Sequence, residues 1–134
     1  MAEEKYTLVY TGENVDEKLG ASDWVVAQGT SGGWHYKKFN SGDCVLWGTF
    51  SETPQSSVAI GDLFYSDPVT EISVPFPVNN AVIVGTAANL CYVANVGYNN
   101  AAANPFVSYR LVRPVAIPTD SAVTVKLVVW GTWK

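Results

Sequence analysis

From Trp24 onward, apolar and polar positions alternate in short runs separated by Gly, Pro, Asn and Ser. One run recurs roughly every ten residues, a rhythm that predicts strands and turns of a sandwich or barrel. The runs place strands at Trp24–Gln28, Trp34–Phe39, Cys44–Phe50, Asp62–Tyr65, Val69–Pro75, Ala81–Thr86, Leu90–Val96, Phe106–Val112 and Ala122–Trp133. Between them fall a turn at Thr30–Gly33, a hairpin turn at Asn40–Asp43, a polar loop at Ser51–Ser57 and a long exposed loop at Gly97–Pro105. In the third strand Cys44, Leu46, Gly48 and Phe50 face one way, and Val45, Trp47 and Thr49 the other. Both sides are therefore largely apolar and both need cover. The last strand repeats this: Val123, Val125, Leu127 and Val129 alternate with Thr124 and Lys126, but Val128 and Trp130 turn its second face apolar. A loop of the same chain or a neighbouring chain must cover that face. The expected fold is all-β, an antiparallel, jelly-roll-like β-sandwich over residues 24–134.

Residues 1–23 read differently. Thr11 to Gly20 predicts one short helix, with Thr11 as cap, acidic Glu13, Asp16 and Glu17 in its first turns, and Gly20 as its close. Leu8, Val15 and Leu19 share a seam, interrupted by Gly12 and ended by Ser22. Either the helix lies on its own domain or it forms a short neck between identical chains.

Composition narrows the function. Charged residues are 15% of the 134 residues, against about 25% in an average domain, so the surface is built from small polar and apolar side chains. That suits an oligomer. A net charge of −4 with scattered Lys and Arg argues against phosphate-mediated nucleic-acid binding. No apolar run approaches the roughly 20 residues of a membrane span, and the first residues lack the pattern of a signal peptide, so synthesis in the cytoplasm without membrane insertion is expected. Cys44 and Cys91 are expected to be free thiols.

Candidate chemistry is sparse. His35 is the only histidine, and no nucleophile or carboxylate is tied to it in sequence. Asp62, Asp67, Glu71 and Asp120 are spread singly near turns, which argues for local backbone bonding over a glycosidase pair. One His and two distant Cys do not make a zinc site, and no loop carries a calcium-binding series of carboxylates. We expect no enzyme, no metal and no cofactor. Tyr98, Asn99, Asn100 and Asn104 combine an aromatic face with amides in one loop and are the candidate ligand-binding residues. Val15, Leu19, Trp130 and Trp133 are the candidate oligomer contacts.

Val26-Ala-Gln-Gly-Thr-Ser-Gly-Gly-Trp-His-Tyr-Lys-Lys-Phe-Asn-Ser-Gly42, followed by Trp47-Gly-Thr49, resembles the C-terminal domain of tail-fibre and baseplate-type structural proteins of phages and prophages from gut Firmicutes. Gln28, Gly29, Thr30, Ser31, Gly32, Trp34, Tyr36, Lys38, Ser41, Gly42, Trp47 and Gly48 fit that pattern. Tyr10-Thr-Gly-Glu and the ending Val128-Val-Trp-Gly-Thr-Trp-Lys134 resemble the flanks of such domains, whereas 51–120 matches only in style. Cys44 stands where the family tends to have Ala, and Leu46 where it has Cys.

The resemblance implies a virion component. It would be a homotrimeric knob on a fibre, attached to other virion proteins through residues 1–23 and touching a bacterial surface carbohydrate. A head-fibre or capsid decoration protein and a glycan hydrolase are the alternatives.

Overall fold

The computed structural model describes residues 23–101 and 103–134. The expected helix at Thr11–Gly20, with Val15 and Leu19, lies outside the described residues. Within them the regular structure is ten strands and no helix: β1 (Val25–Ser31), β2 (Trp34–Phe39), β3 (Asp43–Glu52), β4 (Ser56–Ile60), β5 (Leu63–Asp67), β6 (Thr70–Ser73), β7 (Asn79–Ala87), β8 (Tyr92–Asn99), β9 (Phe106–Arg113) and β10 (Val123–Thr132).

These strands form two antiparallel sheets. The first runs β1-β2-β3-β10-β7. Its centre is the long β3–β10 ladder, from Val123 opposite Glu52 to Thr132 opposite Asp43. In the second sheet β9 is central, with β8 along one side and both β5 and β6 along the other. Where β5 gives way to β6, Ser66 fills the gap: its Oγ accepts the Leu111 N–H at 2.8 Å. Ser66 is the buried polar side chain of the core, and this bond satisfies the ladder group that the interruption exposes.

The core lies between the sheets. Trp34, Leu46, Val125, Leu127 and Val129 come from the first sheet, Val107, Tyr109 and Leu111 from the second, and all are buried. Each belongs to an alternating set, so one period-2 pattern decides which residues meet. Trp34 bridges the layers directly. Its Nε1 donates to the carbonyl of Ser73 in β6 at 2.8 Å, and its ring lies 4.8 Å from Phe50. Cys44 and Cys91 are buried free thiols.

Three boundaries differ from the sequence reading. β1 continues to Ser31, because the turn needs only Gly32 and Gly33, both at positive φ (58° and 87°), which suits a two-residue hairpin. The loop expected at Ser51–Ser57 is instead the end of β3, a short turn and the start of β4. Ser56 and Ser57 carry little strand preference of their own. They are held by pairing with Asp67 and Ser66 and by side-chain bonds, Ser56 Oγ to the Asp67 carbonyl and Ser57 Oγ from the Ile117 N–H. Finally, β8 extends to Asn99, so the loop expected at Gly97–Pro105 shortens to its second half. A register shift between Ala94 and Gly97 carries the strand past residues that break the alternation.

Candidate ligand and oligomer surfaces

The four residues expected to bind a ligand are exposed or half-buried, and several of their polar atoms are engaged within the chain. Tyr98 packs against the core, its hydroxyl accepting the Val78 N–H at 2.9 Å and meeting Asn100 Oδ1 at 3.3 Å. Burial pushes its phenol above the usual tyrosine value, partly offset by that N–H. Asn100 donates to Asn79 Oδ1, Asn99 Oδ1 accepts the Ala101 N–H, and Asn104 Oδ1 accepts from Ser73. This network ties the loop to β6 and β7.

The two expected tryptophan contacts part company. Trp133 packs partly buried against the core, donates Nε1 to the Phe39 carbonyl at 2.9 Å and has Lys38 over its ring. Trp130 is 61% exposed on the outer side of β10. There the register aligns Val45, Trp130 and Val82 in one row across β3, β10 and β7, and Trp47, Val128 and Val84 in the next. Val82 and Val84 are also more than half exposed, and β7 ends the sheet. A wholly apolar hollow of about 320 Å³ lies among Val82, Val84, Val128 and Trp130. A larger one of about 540 Å³ continues past Trp130 toward Asn80, Asp43 and Asp23. His35 lies on the same face, stacked 5.5 Å from Trp47.

The outer face of the second sheet has another chemistry. Tyr65, Asp67, Tyr92 and Arg110 share it, according to the pairings Tyr65 with Val112 and Tyr92 with Val112. Arg110 donates to Asp67 Oδ1 and to the Ser66 carbonyl, both at 3.0 Å, and lies over the Tyr65 ring at 4.9 Å. A hollow of about 400 Å³ opens there among Ile60, Leu63, Tyr65, Asn95, Arg110 and Val112. The sequence reading missed this site. Arg110 and Tyr65 are far apart in the chain, and only the β5–β9 register brings them together.

Three titratable groups are buried in or against the core. Burial raises both thiols, offset in part by Lys38 at Cys44 and by Arg113 at Cys91, so neither is an activated nucleophile. Tyr109 is fully buried, and desolvation with the nearby Glu52 raises its phenol far beyond the physiological range. Asp23 and Asp43 both line the hollow of about 540 Å³ beside Trp130, but both Asp23 oxygens accept from Ser41, fixing the β2–β3 turn. Among the described residues no group of three His, Cys, Asp or Glu is placed to hold a metal ion.

No protein family and no curated protein matches the sequence. The fold is similar to the N-truncated R1-type pyocin tail fibre, with a TM-score of 0.50 over 92% of this chain and 98% of that one, at 14% identity. It also overlaps a P. aeruginosa R1 pyocin fibre fragment comprising C-terminal residues 323–701, with a TM-score of 0.47, 14% identity, and coverage of 92% of this chain and 32% of the fragment.

Proposed function

We propose that this chain is the tip domain of a phage or phage-tail-like fibre, a homotrimeric β-sandwich knob that binds a carbohydrate of the bacterial surface without catalysis. The observation that carries the reading is the fold likeness to the N-truncated pyocin tail fibre, which spans nearly the whole of both chains. The sequence motif around Gly29–Gly42 points the same way. In this reading the protein is a virion component, and residues 1–23 attach it to other virion proteins.

The two outer faces suit two separate tasks. The Val- and Trp-rich face of the first sheet is the side that meets neighbouring copies, since contiguous exposed apolar area on an edge strand favours association. The number three comes from the resemblance to fibres. The polar and aromatic face of the second sheet is left to meet the host. Binding is favoured over hydrolysis because Asp23, one of the two carboxylates in the hollow beside Trp130, is committed to the β2–β3 turn.

The reading is tested on a printed array of bacterial surface polysaccharides probed with the purified full chain. At least one glycan is expected to bind reproducibly, to be displaced by the same glycan in solution, and to remain uncleaved. An array on which nothing binds while the chain is assembled favours a decoration role.

A further inference from the structure

The glycan-binding reading leaves open where the sugar sits, and the outer face of the second sheet has the features to hold one. The hollow beside Arg110 has a volume of about 400 Å³, within the roughly 300–1,000 Å³ usual for small-molecule sites. Its apolar wall comes from Ile60, 60% exposed, Leu63, 44% exposed, and Val112. Such a wall matches the C–H face of a pyranose ring.

The polar groups converge on the same place. Arg110 is fixed from three sides, by Asp67, by the Ser66 carbonyl and by the Tyr65 ring. Among the described residues its hydrogen bonds leave through one terminal nitrogen, Nη1, which orients the rest of the guanidinium as a donor. Asp67, with a half-exposed side chain, engages Arg110 through Oδ1 and holds its orientation beside the hollow. Asn95 adds an exposed amide. It lies within the β8 register shift at φ 52°, a left-handed conformation that Asn tolerates better than most residues. Bulges of this kind often re-aim a side chain at a site.

Charge selects the ligand. Arg110 is neutralised by Asp67, and the whole chain carries −4, so the hollow offers no excess positive charge to a phosphate or carboxylate. Resting on the glycan-binding reading, we propose that this hollow, with Tyr65, Asn95 and Arg110 as its polar contacts, is a binding site for a neutral pyranose unit. Arg110, oriented by Asp67, would donate to one hydroxyl, and the Asn95 amide would donate to or accept from its neighbour. Tyr98 packs against the core, and the exposed Asn99, Asn100 and Asn104 are the competing contact surface that an NMR titration distinguishes.

Two measurements on the intact chain test this. In the first, the ¹⁵N-labelled protein is titrated with the methyl glycosides of glucose, galactose, mannose and N-acetylglucosamine, and amide shifts are followed by NMR. Shifts are expected to concentrate at 63–67, 94–97 and 110–112. Shifts centred on 98–104 or around Trp130 overturn the site and leave the glycan reading standing. In the second, the array is repeated with Tyr65→Ala and Asn95→Gly, the latter keeping the left-handed backbone while removing the amide. Each is expected to weaken binding at least about tenfold, the size of one lost polar contact of about 1.4 kcal/mol, with an unchanged melting temperature. Full binding by both variants overturns the site. An array silent for the unaltered protein removes the glycan reading and this site together.

Discussion

Trp34→Ala is expected to destabilise the fold by about 3–5 kcal/mol, the usual cost of removing a large buried aromatic side chain. The indole is fully buried between the sheets, so its loss opens a cavity that the β-ladders on either side cannot close. It also removes the donor that joins β2 to the Ser73 carbonyl in β6. A domain of this size has about 5–15 kcal/mol of stability in total, so the variant approaches the threshold of unfolding. Chemical denaturation should show a much lower midpoint with an unchanged slope. Trp34→Phe keeps most of the volume but not the hydrogen bond, and should cost clearly less. If both variants unfold at the midpoint of the unaltered protein, Trp34 does not join the two layers.

Val84→Glu is expected to break the assembly while leaving the domain folded. Val84 is 61% exposed in the described chain, so a carboxylate there is fully solvated in a monomer. Between copies it would be buried in an apolar interface opposite Val128 and beside Trp130, where an unpaired charge costs several kcal/mol. Trp130→Glu should act in the same way. The expected result is a fall in solution mass to that of one chain, with the circular dichroism spectrum unchanged. Lys126→Glu, further along the same strand and opposite Thr49 and Thr86, supplies a control at a polar position and should leave the mass unaltered.

Much of this was legible in the sequence, because a strand with one buried face has a strict period of two. The alternation of Cys44, Leu46, Gly48 and Phe50, and of Val123 to Val129, placed β3 and β10; in β10 it also marked the inward side, whereas both faces of β3 read as apolar. The same alternation exposed the anomaly at Val128 and Trp130, which became the apolar outer face. β4 was not legible because Ser56 and Ser57 owe their conformation to partners in β5 and near Ile117. The end of β8 was hidden for a related reason. Gly97, Tyr98 and Asn99 look like a turn locally, and only pairing with Ser108, Val107 and Phe106 makes them strand. The amide-rich loop looked open because sequence does not show that Asn100 bonds to Asn79 and Asn104 to Ser73, both distant in the chain. The Arg110 site could not be seen either, since it depends on which strand lies beside β9.

The proposed trimer covers the Val- and Trp-rich outer face with other copies of the same chain. Light scattering behind a sizing column is therefore expected to give a mass near three times the 14.5 kDa of one chain. A stable 14.5 kDa monomer at micromolar concentration overturns the trimer.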